Sequence, residues 1–146
     1  MRPFILLSLL VAADASAQCS TATLSCSSTI ANALTSSDCA SFDGSVYDTY
    51  AFAGTAGDTI SIEMHSTAFD TYLGLIDQAG RPVIDNDDLS TSSSDSKITW
   101  TLPAAGTWTI FANSLASAKT GDYTLTLSCA STSVPAGPKR RAVRRG

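Results

Sequence analysis

From residue 46 onward, apolar and polar residues alternate with a period of two along most of the chain. Successive side chains of a β-strand point to opposite faces, so each alternating segment is predicted to be a strand with one buried face. The segments with this pattern are 48–52, 59–64, 98–102, 108–112 and 123–129. The alternation predicts that the buried faces carry the aromatic side chains of Tyr50, Phe52, Trp100, Trp108 and Tyr123.

Turn-forming sequences separate the alternating segments at intervals of about ten residues. They contain Gly, Pro and Asp residues that favour tight turns, and they lie at 54–58, 77–80, 103–106 and 119–122. No segment has a helical period of useful length. Short strands at this spacing predict an all-β fold, either an antiparallel β-sandwich or a jelly roll.

Two segments lack a clear alternation. Residues 27–40 fit either one helical turn around Ile30, Ala31 and Leu34 or a first strand, and their many Ser and Thr residues favour the strand. The segment from Asp85 to Lys97 is rich in Asp and Ser, and we predict that it forms the longest and most mobile loop.

The first 17 residues have the pattern of a secretory signal peptide. Arg2 supplies the positive charge, an apolar stretch runs from Phe4 to Ala13, and the Ala-Ser-Ala sequence at 15–17 matches a cleavage site. The apolar stretch is too short for a membrane anchor. We therefore predict a secreted, extracellular protein that begins at Gln18 and has no membrane span.

Four cysteines follow the predicted signal peptide: Cys19, Cys26, Cys39 and Cys129. An even number of cysteines in a secreted chain predicts two disulfides, and four cysteines permit three pairings. Zinc ligation by sulfur is disfavoured because the cysteines are widely spaced and His65 is the only histidine in the sequence.

Charge divides the chain into an acidic domain and a basic end. Between Gln18 and Pro138, three basic residues stand against twelve acidic ones, a net charge of −9. Such a domain repels nucleic acid, which we therefore exclude as a partner. We predict a folded domain over residues 18–130 and a disordered tail over residues 131–146. The basic residues of this tail are Lys139, Arg140, Arg141, Arg144 and Arg145.

Five short motifs resemble the bacterial pre-peptidase C-terminal domain in their residues and in their order. The resemblance extends from about residue 28 to residue 128. In this chain the motifs are Tyr-Asp-Thr-Tyr-Ala-Phe at 47–52 with Gly54 and Ala-Gly-Asp at 56–58, Phe-Asp-Thr-Tyr-Leu at 69–73, Asn-Asp-Asp at 86–88, Leu-Pro-Ala-Ala-Gly-Thr-Trp-Thr-Ile at 102–110, and Gly-Asp-Tyr-Thr-Leu at 121–125.

The resemblance implies a β-sandwich that is appended to secreted proteases and other exported hydrolases and is itself without catalytic activity. Such domains assist secretion or bind a polymeric substrate, and collagen-binding relatives carry calcium. Related domains often have one cysteine before the first strand and another in an Asp-Cys pair, which Cys19 and Cys39 resemble. The resemblance therefore implies the disulfides Cys19–Cys39 and Cys26–Cys129. One departure is Phe111, where the family pattern usually has a polar residue.

Acidic and amide side chains between residues 70 and 88 are candidate calcium ligands. Asp85, Asn86, Asp87 and Asp88 place oxygen atoms close together in the sequence. Asp70 lies one strand earlier, where hairpin pairing brings it near this group. The spacing is not that of an EF-hand, and the alternative is that Asp and Asn simply form turns here. Calcium is the cofactor that we predict.

Three aromatic residues remain for the outer faces of the predicted sheets: Tyr47, Tyr72 and Phe111. Burial of Trp108 and Ile110 forces Phe111 to the opposite side of the same strand. Exposed aromatic rings bind sugars and proteins, so we predict that these three residues bind a ligand. The alternative is that they cover a loop or a sheet edge.

Catalytic motifs are not apparent. His65 has no accompanying Gly-x-Ser-x-Gly motif or Ser/His/Asp spacing, and Glu63 is the only glutamate in the sequence. We therefore predict a monomeric binding module without enzyme activity. Its partner is an extracellular polymer or protein, with a secreted peptidase as one candidate, and assistance in hydrolase secretion is a related role. The alternative is an adhesive surface protein that its basic tail attaches to an anionic envelope.

Overall fold

The computed structural model describes residues 19–132, which form two β-sheets packed face to face. Residues 1–18, which include the predicted signal peptide, and residues 133–146 of the predicted tail lie outside the described residues. All elements within the described range are strands, so the all-β prediction is confirmed. They are β1 (Thr21–Thr23), β2 (Ser28–Leu34), β3 (Cys39–Ala40), β4 (Val46–Gly54), β5 (Thr59–His65), β6 (Thr71–Ile76), β7 (Pro82–Asn86), β8 (Ser96–Thr101), β9 (Gly106–Ser114) and β10 (Gly121–Ala130).

One sheet has six strands and the other has four. The six-stranded sheet has the order β1-β4-β9-β6-β7, with β3 also paired to β4. The four-stranded sheet has the order β2-β10-β5-β8. Apart from the parallel pair of β1 with β4, the pairs are antiparallel. The molecule is therefore a β-sandwich of mainly antiparallel strands. Between residues 19 and 132, no helix is long and apolar enough to span a membrane.

The core lies between the two sheets and is built from the alternating residues. In β5, Ile60, Ile62 and Met64 are fully buried, whereas the residues between them are partly exposed. Trp100 departs from this pattern, because it was expected in the core but is only partly buried. The reason is its position on β8, an edge strand that has a neighbouring strand on one side only.

The segments without alternation also form strands. Residues 28–34 and 39–40 are β2 and β3, so the strand interpretation of this region is confirmed. In β6, Leu73, Gly74 and Leu75 are all buried, because Phe111 of β9 packs over Gly74 on the outer face. The loop between β7 and β8, residues 87–95, is the longest connection between strands in the described part. It is shorter than predicted, because both predicted ends belong to strands.

Two disulfides confirm the prediction that all four cysteines are paired. They are Cys19–Cys39, with Cα atoms 5.4 Å apart, and Cys26–Cys129, with Cα atoms 5.5 Å apart. These are the pairs that the family resemblance implies. The first ties the segment before β1 to β3 at the edge of the six-stranded sheet. The second ties the turn before β2 to the end of β10 in the four-stranded sheet.

Candidate functional site

The register of three adjacent strands gathers the predicted ligand-binding residues on one face. Tyr47 of β4 and Tyr72 of β6 both pair with Asn113 of β9, from opposite sides. Phe111 precedes Asn113 by two residues and therefore shares its face. The strands thus bring Tyr47, Tyr72 and Phe111 together on the outer face of the six-stranded sheet.

These three aromatic side chains are partly buried rather than fully exposed. The ring centroids of Tyr47 and Phe111 are 4.4 Å apart and the rings are tilted by 40°, so each shields one side of the other. Burial, followed by the nearby carboxylate of Asp85, raises the pKa of Tyr72 to about 12. The Tyr72 hydroxyl therefore remains protonated at neutral pH, and the Asp85 carboxylate engages it.

A shallow groove of about 420 Å³ lies beside these rings and has two further apolar side chains at its wall. Phe42 is fully exposed and Leu115 is 42% exposed, and both line the groove with Tyr72, Phe111 and Asn113. Alternation did not reveal Phe42 because it lies in the connection between β3 and β4. The available signal was a large aromatic residue within a Ser-Phe-Asp-Gly turn sequence.

The turn that carries Phe42 is held by local hydrogen bonds. The Oδ1 atom of Asp43 accepts hydrogen bonds from the Ser45 amide at 2.9 Å and from the Ser45 hydroxyl at 2.6 Å. These bonds lower the pKa of Asp43. Gly44 has a φ of +82°, which a residue with a side chain rarely adopts. The exposed ring of Phe42 is therefore presented by a fixed turn.

Asn113 forms the floor of the groove. Its Nδ2 atom donates a hydrogen bond to the Ser45 hydroxyl at 3.0 Å. Its Oδ1 atom is buried and has no hydrogen-bond partner among residues 19–132. An unpaired buried acceptor costs the fold about 1–3 kcal/mol of stability. A ligand donor that reaches this oxygen would find an acceptor that no described residue uses.

The predicted calcium ligands are spread over one strand and two loops. Asp85 is exposed on β7, and the Oδ1 atom of Asn86 accepts a hydrogen bond from the Lys97 amide at 3.3 Å. Residues 19–132 contain no group of three or more acidic, His or Cys side chains arranged to hold a metal. The arrangement therefore does not fit a complete metal site.

Asp70, Asp87 and Asp88 are the predicted ligands that interact. Burial, followed by the charges of Asp88 and Asp87, raises the pKa of Asp70. The Oδ1 atom of Asp70 is buried without a hydrogen-bond partner in the described part of the chain. Calcium binding at this end of β6 and β7 stays a prediction.

The outer face of the four-stranded sheet carries the only histidine. His65 Nδ1 lies 2.9 Å from Asp95 Oδ2, and its Nε2 lies 3.4 Å from Glu63 Oε2. The hydrogen bond with Asp95 is the main cause of the raised pKa of His65. Both ring nitrogens face carboxylates, and the nearby Ser66 hydroxyl donates to the main-chain oxygen of Asp122 instead. This arrangement does not activate a nucleophile.

The family model of the bacterial pre-peptidase C-terminal domain matches residues 46–114. Residues 46–114 are therefore similar to the bacterial pre-peptidase C-terminal domain, as the sequence motifs predicted. The matched segment contains β4 through β9, and therefore Tyr47, Tyr72 and Phe111. Phe42 precedes both this segment and the first of the motifs that carry the resemblance, and so those motifs did not indicate it.

Solved structures share the fold of this chain. The pre-peptidase C-terminal domain of a Bacillus anthracis collagenase is 12% identical with a TM-score of 0.57, covering 75% of this chain and 95% of that chain. PliG of Aeromonas hydrophila, a periplasmic inhibitor of g-type lysozyme, is 13% identical with a TM-score of 0.55, covering 75% of this chain and 97% of that chain. At these identities the likeness shows the fold alone. No curated protein matches the chain.

Proposed function

We propose that this domain is a secreted, non-catalytic binding module whose aromatic groove holds an extracellular polymer or protein. The observation that carries the proposal is the fully exposed ring of Phe42 beside the groove of Tyr72 and Phe111. A lone exposed ring has little meaning, but contiguous apolar side chains with polar surroundings are typical of interaction sites.

The groove combines the features of a binding surface. Two of its aromatic residues, Tyr72 and Phe111, lie on paired strands, and the third, Phe42, lies on a turn held by Asp43, so little backbone freedom is lost when a ligand binds. The Tyr72 hydroxyl and the Asp85 carboxylate that engages it are polar groups at the rim, and the unpaired Oδ1 atom of Asn113 lies at the floor. An apolar wall with a few polar groups is typical of sites for sugars and for protein segments.

Two observations support secretion and the absence of catalysis. Both disulfides fit an oxidising compartment. Both nitrogens of His65 face carboxylates, so His65 is not placed as a base beside a nucleophile. A collagenase domain and a lysozyme inhibitor share this fold, and a protein partner is therefore one of the two classes proposed.

The proposal is tested by pull-down of the purified protein on collagen, chitin, cellulose and bacterial cell-wall material. We expect retention on one of these, and we expect Phe42→Ala and Phe111→Ala each to weaken it about thirtyfold, the effect of removing an interface anchor. Phe42→Ala should leave the melting temperature unchanged because the ring is fully exposed.

Leu89→Ala is the matched control, because Leu89 is 45% exposed in the loop between β7 and β8, away from the groove residues. It should leave retention unchanged. Equal retention of wild type and both Phe variants would exclude the groove as the binding site. Turnover of peptides or glycosides by the purified protein would show that the domain is an enzyme.

A further inference from the structure

The strands at the edges of the two sheets differ in how their free sides are protected. β7 begins with Pro82, and its register with β6 shifts between Leu75 and Ile76. β8 carries Lys97, and β1 has only three residues. Pro, irregular register, charge and short length all hinder the addition of a further strand.

β2 has none of these protections. Its seven residues, Ser-Thr-Ile-Ala-Asn-Ala-Leu, include no charge, Pro or Gly. It pairs with β10 along its whole length without a shift in register, and no described residue pairs with its other side. Half of its backbone N–H and C=O groups point away from β10, so β2 is a template for another strand.

A groove of about 870 Å³ begins at the outer face of β2 and crosses the sheet. Ala31 and Ala33 line it at the edge, and these residues pair with Thr124 and Asp122 of β10. His65 and Asp95 line its far side. Because alanine side chains are short, a long side chain from a strand added beside β2 has room to lie over them and reach Asp122.

Charge decides which kind of strand fits this edge. Asp122 is exposed and forms no ion pair with any residue in the range 19–132. The positive groups nearby are already paired, His65 with Asp95 and Lys97 with Glu63. Because residues 18–138 carry a net charge of −9, a second copy of the domain is repelled and a basic segment is attracted.

We propose that β2 is a docking edge for an extended peptide of a partner protein with Lys or Arg at alternate positions. The peptide adds beside β2 as a further strand through backbone hydrogen bonds. Its basic side chains lie over Ala31 and Ala33 and pair with Asp122. This surface is on the four-stranded sheet and is distinct from the aromatic groove.

The test uses the full mature chain and a synthetic peptide in which Lys alternates with Val. We expect the peptide to bind, and its affinity to fall as salt is added, because the paired charges are exposed. A peptide with Glu in place of Lys should not bind. A peptide with N-methylated backbone amides should bind at least about tenfold more weakly, because it lacks donors for the strand pairing.

Variants of the chain locate the site. Asp122→Asn should weaken peptide binding about threefold, the range of an exposed ion pair, and Ala31→Lys should weaken it at least about tenfold by filling and charging the groove. Asp85→Asn and Thr99→Lys make the same charge changes at exposed positions elsewhere and should leave binding unchanged. Phe42→Ala should also leave it unchanged, which separates this test from that of the aromatic groove.

Three results would overturn the proposal. Equal binding of the Lys and Glu peptides, or of the methylated and unmethylated Lys peptides, would exclude charge-guided strand addition. A dimer in sedimentation experiments that Ala31→Lys disrupts would assign the edge to a second copy. An increase in peptide affinity that persists in high salt, where long-range attraction is screened, when Lys139, Arg140, Arg141, Arg144 and Arg145 are replaced by Gln would assign the edge to the chain's own basic segment.

Discussion

The outer faces of the two sheets are unlike each other, although their inner faces are alike. Both inner faces are apolar, as shown by the buried Ile62 of β5 and Ile110 of β9. The outer face of the six-stranded sheet carries an aromatic cluster around Phe111. The outer face of the four-stranded sheet carries threonine pairs, such as Thr29 with Thr126 at 2.9 Å, and the charged groups around His65.

This difference separates the residues that specify the fold from those that are free to bind. A β-sandwich requires the inner side chains to be apolar, but it accepts either Thr or Phe on the outer faces. Phe111 is not needed for the core, because Trp108, Ile110 and Ala112 already fill the inner side of β9. An aromatic residue at such a position is therefore a better indication of binding than one in the core.

Removal of the two disulfides should have the largest effect on the free energy of unfolding. Because each disulfide belongs to a different sheet, the two removals also compare the sheets. Replacing Cys26 and Cys129 by Ala should lower the free energy of unfolding by about 4.7 kcal/mol, since the pair spans 103 residues. Replacing Cys19 and Cys39 should lower it by about 3 kcal/mol, since that pair spans 20 residues. Urea unfolding of both double variants measures the difference. Equal losses would contradict the loop-entropy account.

The second prediction is that calcium binding stabilises the fold, and it concerns the end of the six-stranded sheet where β6 begins and β7 ends. If Asp70, Asp87 and Asp88 come together around the ion, calcium at a hundredfold excess over its Kd should stabilise the fold by about 2.7 kcal/mol. Thermal unfolding in calcium and in chelator measures this shift. Asp70→Asn should abolish the shift, and Asp122→Asn, on the other sheet, should retain it. An unchanged melting temperature of the wild type rejects the site.

A polar network that joins the two sheets gives the third test. Asp48 Oδ2 accepts hydrogen bonds from the Tyr123 hydroxyl at 2.6 Å and from Asn32 Nδ2 at 3.1 Å, and burial raises the pKa of Asp48. Asp48→Ala should cost about 2 kcal/mol because both donors lose their acceptor. Asp48→Asn retains an acceptor and removes the partly buried charge, so its effect should be small. Chemical unfolding at pH 7 distinguishes the two, and equal losses would exclude the hydrogen bonds as the cause.

The smallest expected effect is the pH dependence of the charged groups on the four-stranded sheet. Because the pKa of His65 is raised in the folded state, its contribution to stability is complete below pH about 6.5 and is lost as the pH rises through the folded pKa. The imidazole is 42% exposed, so solvent screening limits this contribution to under about 1 kcal/mol. His65→Gln should remove the pH dependence between pH 6 and 8 in thermal unfolding. An identical pH profile for the variant would show that His65 is not the source of the pH dependence of stability.

Much of the fold was predictable because it depends on local alternation. The pattern placed Phe52, Ile62 and Trp108 in the core, and they are buried. It failed for β6, where the neighbouring Phe111 covers Gly74 and conceals the outer face. It also failed for Trp100, whose position on an edge strand leaves the indole partly exposed.

The candidate site was predictable only in part. Alternation left Tyr47, Tyr72 and Phe111 for the outer faces, but it contains no information about residues in connections. Phe42 and Leu115 were therefore missed. The polar network was missed as well, because Asp48 lies on the inner side of β4, where alternation predicts apolar residues.

The sequence by itself determined that the alternating segments are strands, which of their faces is buried and that the cysteines pair, because these properties follow from local patterns and residue chemistry. Only the tertiary structure decided that β9 lies between β4 and β6, which brings Tyr47 and Tyr72 to opposite sides of Asn113. It also decided that β2 has a free edge beside Asp122. The physical reason is that strand order and register result from packing between residues far apart in the chain, which a period of two does not record.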